Sequence, residues 1–412
     1  MIMPKKNKIV IFLYNRFFDA LIQGNFWLYI DDYLNDPDNG HIFHLITYED
    51  PEFPLTPEQK DKVEKWQKRG LKWTRLKWHR GTGIKSKLLD IWFGLWAVLA
   101  LRLRGYRYIV TLGSVAGTYA YIYAQILSMR LFLYQFEPHS EYAIDNGMWS
   151  ENSLVYKISH YLERKAAQFA STIASGTRFM EERVQEVWEV KGKFFKVPTV
   201  ANDQKFLFNE DERAATRHML GLTDEQWVLF YPGKFGSLYY TDETAWMFRW
   251  LHEIEPRLHF LIVTPHADEE IHSIFKRAGV NRSNYTVCHS EYADIHNYYF
   301  AADFAVIAVP PGPSKKFISN IKVGEYLSAG LPFLITKGVS EDYLVATEKQ
   351  VGVVVDDFVE KDIKAAWPEM EHYLKMDTNE RRAHCRQVGQ DYRGFRALNP
   401  VFKAAMEHLT EK

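Results

Sequence analysis

Cysteine is scarce: Cys288 and Cys385 are the only two in 412 residues. Two thiols exclude a disulfide framework and a cysteine-based zinc site, and they fit a reducing cytoplasm. Long apolar runs are missing too. No stretch of about 18 uncharged apolar residues occurs, so no spanning helix is expected. The opening MIMPKKNKIVIFLY sets lysines before an apolar run. That run is short and leads to NRFFD without a small-residue cleavage site, so it reads as a first strand rather than a leader. Phosphate and metal signatures fail on spacing. GTGIKSK (81–87) lacks the P-loop pattern, and His266, His289 and His296 match no ligand set. Asp36-Pro37-Asp38 spells D-x-D inside a proline- and asparagine-rich turn, where it is discounted as a metal triplet. No metal or cofactor is expected.

What is present is the composition of a folded protein, with 47% hydrophobic and 25% charged residues. The length suits two domains of roughly 200 residues each. The net charge of −1 conceals an asymmetry. Between Lys60 and Tyr108, fourteen basic residues face only Asp61, Glu64 and Asp90. Trp66, Trp73, Trp78, Trp92 and Trp96 fall in the same segment. LKWTRLKW alternates in the manner of a strand, and IKSKLLDIWFGLWAVLALRLRG follows as a helix of about five turns. That helix is almost continuously apolar from Ile91 to Leu101, between Lys85 and Lys87 on one side and Arg102 and Arg104 on the other. Three readings fit, in this order: contact with an anionic membrane surface, a buried helix inside a solvated basic face, and single-stranded nucleic acid. A nucleic-acid partner is therefore not expected.

Along the chain, short apolar runs alternate with helical periods. KIVIFL, HIFHLIT, YRYIVTL, MRLFLY and STIASG are strands of a first half; Gly113, Ser114, Ala116 and Gly117 permit close packing at one turn. Gly24-Asn25 follows the first strand, beginning or interrupting a helix or making a plain turn. FEPHSEYAIDNGMWS reads as a long polar loop in which Glu137, His139 and Glu141 alternate. Asn202 to Gln226 is polar and helical, and reads as an interdomain linker. Beyond it, WVLFY ends in the glycine loop PGKFGS, where Gly233 lets the backbone approach a diphosphate and Lys234 supplies charge. HSEYADIHNYYF offers Tyr292 either as a surface tyrosine or as a stacking partner.

The richest stretch runs from DFAVIAV, a buried strand, through PPGPSKKFIS into SNIKVGEYLSAGLPFLIT. Ser319 or Asn320 can cap a short helix beginning at Ile321, and Gly330 sits where a left-handed residue ends it. Lys322 and Glu325, three apart, share a face, either as a solvated pair or as cation and carboxylate at a ligand. Strand, loop and helix N-terminus in this order are where α/β folds bind phosphorylated ligands.

S-N-I-K-V-G-E-Y-L-S-A-G-L-P-F resembles the donor-binding segment of glycosyltransferase family 4. The likeness continues in LER…A…I-SGT and FFKVPTVAN. It implies an α/β GT-B fold: two Rossmann-like domains facing a central cleft, with a C-terminal helix crossing back. On this reading residues 1–201 form an acceptor domain carrying the basic segment 60–108, residues 202–387 a donor domain, and residues 388–412 the returning helix. The resemblance further implies a hexosyl transfer from a nucleotide-diphosphate sugar, a co-substrate rather than a cofactor, to a glycan or lipid-linked acceptor. Transfer is expected to need no metal and to retain configuration, with the protein cytoplasmic or peripheral at the inner face of the membrane. Lys234 and Lys322 would meet the diphosphate with Gly233, Ser319, Asn320 and Ile321. Glu325 would hold the ribose, Tyr292 the base and His139 the sugar, and Gly24 would approach donor and acceptor. One position departs: Phe317 stands eight residues before Glu325, where the family often carries an acid. A catalytically inactive scaffold and a nucleotide-sugar epimerase of similar fold are the alternatives.

Overall fold

The computed structural model describes residues 6–79, 83–135, 137–292 and 294–411. Arg80 of the basic segment and Gly81 and Thr82 of GTGIKSK lie outside them. The chain forms two compact units, Met1–Thr199 with Leu398–Lys412, and Val200–Ala397.

The first unit is built on seven strands: β1 (Asn7–Phe12), β2 (His41–Glu49), β3 (Lys72–Lys77), β4 (Tyr108–Leu112), β5 (Arg130–Tyr134), β6 (Thr172–Ser175) and β7 (Lys193–Lys196). The second has six: β8 (Trp227–Pro232), β9 (Leu258–Val263), β10 (Tyr285–Cys288), β11 (Phe304–Ile307), β12 (Phe333–Thr336) and β13 (Gly352–Val355). Every pairing is parallel, in the orders β3-β2-β1-β4-β5-β6-β7 and β10-β9-β8-β11-β12-β13. Helices link successive strands, so the central ones are covered on both faces and read as unbroken apolar runs. Ile9 to Phe12 and Leu229 to Tyr231 are fully buried. In each sheet the order reverses once, between β1 and β4 and between β8 and β11. Such switch points open a crevice at the strands' carboxyl ends.

Close packing at the turns uses the expected small residues. A Cβ on Gly117 would lie 2.3 Å from Leu133 Cδ1. Gly330 ends its helix with φ +78°, and the Leu331 amide reaches back to the Tyr326 carbonyl at 2.8 Å. Residues 202–226 are not a bare linker: the helix Glu210–Met219 belongs to the second unit. Its Arg213 and Arg217 reach Asp303 at 2.8 and 3.4 Å. The helix Thr378–Arg393 packs on Ile321–Ser328, so residues 388–393 complete a helix of the second unit. The last helix, Phe395–Thr410, carries the chain into the first unit. There Phe402 stacks on Tyr29 at 4.3 Å and Lys403 pairs with Asp32 at 2.7 Å.

Asp303 holds the second switch point together. One carboxylate oxygen accepts the Val228 amide of β8 at 2.9 Å, immediately before β11 begins. Burial alone would raise its pKa, but Arg213, Arg217 and Arg381 hold it below the ordinary 3.8. Asp303→Asn leaves buried guanidiniums uncompensated, and an expected loss of about 3–5 kcal/mol follows. Because the folded pKa is depressed, the carboxylate's contribution is present above 3.8 and is lost as pH falls through the folded value. Urea unfolding of wild type and variant should therefore give a gap that narrows in acid; a gap independent of pH would refute this account.

Candidate functional site

Two loops leave the carboxyl ends of adjacent strands at this switch point: 233–241 after β8 and 308–320 after β11. The second feeds the helix Ile321–Ser328. Asn320 is its cap, with Oδ1 accepting the Lys322 amide at 3.1 Å. Ser319 precedes the cap, and its Oγ accepts from Arg393 at 2.8 Å. Arg393 and its carboxylate partner Asp342 are wholly buried, so the loop is tied to a charged pair in the interior. Phe317 is also buried, in a 3₁₀ turn over Lys315–Phe317.

Lys322 and Glu325 are not a solvated pair. Glu325 is buried and accepts a 2.5 Å hydrogen bond from the Tyr299 hydroxyl, and the Tyr292 hydroxyl lies near enough to favour its charged form. Burial raises its pKa above the ordinary 4.5, against the pull of Tyr299, Lys322, Lys205 and Tyr292. Lys322 extends over the Tyr239 ring, 4.2 Å from its centroid. Its Nζ would stand 3.0 Å from a Cβ placed on Gly233. The absent side chain at 233 is thus what admits the ammonium to the turn after β8. Lys234 is exposed on the same turn, and its carbonyl accepts from the Tyr231 hydroxyl at 2.5 Å. Not every loop amide is available to a ligand. Gly233 donates to Val263 at 2.9 Å and Phe235 to His266 Nε2 at 3.2 Å.

Lys205 was missed by sequence reasoning. Its Nζ sits 3.4 Å from the centroid of the Tyr292 ring and also donates to the Tyr292 carbonyl. Burial lowers its pKa to about 8, partly offset by Glu325 and Asp294. Nothing in ANDQKFLF marks a ligand-facing lysine, because Lys205 lies 120 residues from Glu325 in the chain. Tyr292 is half-exposed and presents its ring to this ammonium and its hydroxyl to Glu325.

In the first unit the loop expected around His139 contains a helix, His139–Asp145. Glu163, from the LER segment, stabilises its first turn by accepting from the Ser140 amide at 3.0 Å and hydroxyl at 2.7 Å. Burial pushes Glu163 up to about 7. His139 lies edge-on to Trp149 at 5.6 Å, and burial keeps its pKa below the usual 6.5. Gly24 is in no plain turn: it sits in a π-helical turn, Ile22–Phe26, that runs directly into the helix Trp27–Asn35. The structure thus brings Gly233, Lys322, Glu325 and Tyr292 into one cluster of the second unit, and holds His139 and Gly24 in the first.

No protein-family model and no curated protein matches the sequence. Solved structures do. Sucrose-phosphate synthase from Thermosynechococcus elongatus is similar at TM-score 0.72 and 14% identity, over 98% of this chain and 99% of that one. The fold is GT-B. HepE of Anabaena, solved with UDP and glucose, is similar at TM-score 0.66 and 12% identity, over 98% and 99% of the two chains. WaaG, a glycosyltransferase involved in lipopolysaccharide biosynthesis, is similar at TM-score 0.64 and 13% identity, over 98% and 100%. Within this GT-B chain the lysine–carboxylate cluster occupies the switch point of the second Rossmann-like unit.

The raised pKa of Glu325 makes stability pH-dependent. Stabilisation is complete below 4.5 and is lost as pH rises through the folded value. Glu325→Gln removes that titration while keeping an acceptor for Tyr299. Denaturant unfolding should show the variant gaining on wild type as pH rises from 4.5 toward neutrality; parallel curves would show that Glu325 titrates normally.

Proposed function

We propose that this protein transfers a sugar from a nucleotide-diphosphate sugar to a hydroxyl of a glycan or lipid-linked acceptor. The observation that carries this reading is the meeting of Gly233, Lys322 and Glu325 at the β8/β11 switch point. Departure of the nucleoside diphosphate leaves negative charge on its phosphates. The Lys322 ammonium, the exposed Lys234 and the N-terminus of Ile321–Ser328, with Ser319, Asn320 and Ile321 at its entry, are suited to receive that charge. These fixed cations supply what a divalent ion supplies elsewhere, so transfer proceeds in chelator. Glu325 accepts from the ribose hydroxyls on the lone pairs that Tyr299 leaves open. Tyr292, backed by Lys205, packs against the base. His139, kept neutral by burial, contacts the transferred hexose, and configuration is retained. The setting is cytoplasmic, at the inner face of a membrane. The neighbour solved with UDP and glucose supports the donor class.

Phe317 favours a second reading. A buried phenyl ring replaces the acid that would orient the donor sugar, which suits a scaffold that binds nucleotide sugar without transferring it. Thermal shift with UDP, GDP, ADP and their sugars tests binding. At a hundredfold excess over Kd a ligand adds about 2.7 kcal/mol, and Glu325→Ala should lose most of the resulting rise. Gly233→Ala should bind about tenfold more weakly, because the added methyl would lie 3.0 Å from the Lys322 ammonium, and should melt somewhat below wild type, because it would also lie 3.1 Å from the buried Tyr231 ring. No shift with any nucleotide would refute the donor site. A shift without release of nucleoside diphosphate on adding acceptor would leave the scaffold.

A further inference from the structure

The helix Ile84–Leu103 buries only part of its apolar surface. Val98 and Leu101 are buried in its second half, but the inward side of its first half is polar: Asp90, fully buried, accepts from Tyr14 and lies 2.6 Å from His79 Nδ1. The Tyr48 and Tyr123 hydroxyls donate to the helix carbonyls of Asp90 and Ile91 at 2.6 and 3.0 Å. Gly94 permits this approach, since a Cβ there would lie within 2.5 Å of both hydroxyls. With Asp90 and these carbonyls fixed inward by oriented hydrogen bonds, the apolar residues opposite them face water. Leu88, Leu89, Trp92, Phe93 and Trp96 recur at i, i+1, i+4, i+5 and i+8, and each is about half exposed, Trp92 at 54% and Trp96 at 53%. A contiguous apolar face of this kind marks an interaction surface.

We propose that this face docks on an anionic lipid bilayer. Charge selects the occupant. Lys85 stands exposed at the start of the same face, and Arg104 follows its end. The helix packs beside the edge strand β3, which exposes Lys72, Arg75 and Lys77 and has no acid. The one acid of the helix, Asp90, points inward. Tryptophans, leucines and phenylalanine over a basic border match the interfacial region of a bilayer, where indole rings sit at headgroup level and lysines meet anionic phosphates. No helix among the described residues is long and apolar enough to cross a membrane, so the contact lies along the surface. The inference does not depend on the donor chemistry; combined with it, docking would present the protein to an acceptor carried by lipid.

The test is co-sedimentation of the full chain with vesicles of phosphatidylcholine alone or mixed with phosphatidylglycerol, at low and high salt. Binding is expected only to the mixed vesicles and to weaken with salt. The double substitution Trp92→Ser, Trp96→Ser should lower partitioning about tenfold, and Lys85→Glu about fivefold or more. Both variants should keep the wild-type melting temperature and nucleotide response, which separates this surface from the donor site. Failure to bind mixed vesicles at low salt would overturn the proposal, as would binding indifferent to the tryptophan pair. A concentration-dependent dimer in solution that the tryptophan substitutions dissolve, without vesicle binding, would assign the face to a second copy of the chain instead.

Discussion

A single buried charge ties together the strands and helices that carry the candidate site of the second unit. Asp303 binds the backbone of β8 at the root of β11, and it stays ionised because arginines from two different helices surround it. Those arginines do more than neutralise it. Arg213 donates to the carbonyls of Phe300 and Ala302, Arg217 to Ala301, and Arg382 to Phe300, Ala302 and Ala329. Cations thus gather on the carboxyl end of the helix His296–Ala301, where the helix dipole favours them. That helix carries Tyr299, and Tyr299 holds Glu325. The candidate ligand carboxylate is thus linked, through Tyr299 and its helix, to the charged cluster at the opposite end of the strands.

Around Glu325 the balance is between burial and partners. A buried carboxylate loses its hydration, and two tyrosine hydroxyls and two lysines return only part of it. Lys205 experiences the mirror situation, with its own ionisation weakened by burial. Opposed shifts of this kind, each caused by burial, cluster at functional sites. Arg393 and Asp342 anchor the loop before the helix, so the N-terminus is presented by a fixed frame.

The first unit solves a different problem. Its helix Ile84–Leu103 has apolar side chains on nearly every position, and only one side can be buried. Tyrosine hydroxyls and Asp90 choose that side in its first half, where a hydrogen bond left unmade in the interior costs more than a leucine left in water, and Val98 and Leu101 fill it in the second.

Much of this architecture was legible in the chain. Unbroken apolar runs such as KIVIF and DFAVI, spaced by helical periods, dictate parallel strands covered on both faces, since only such strands can be apolar on every residue. Gly330, Asn320 and the Lys322–Glu325 spacing are local: a left-handed φ, a cap and a shared helix face follow from neighbouring residues alone. What lay beyond neighbours was not legible. The helix at His139 depends on Glu163, twenty-four residues away. The engagement of Ser319 depends on Arg393, and the π turn at Gly24 on packing that no periodicity reports. Lys205 becomes part of the site only when the switch point brings it to Tyr292. Hydrophobic period and turn chemistry act over a few residues and so are written in order along the chain. The pairing of buried charges and hydroxyls acts through space, and only the tertiary structure decided it.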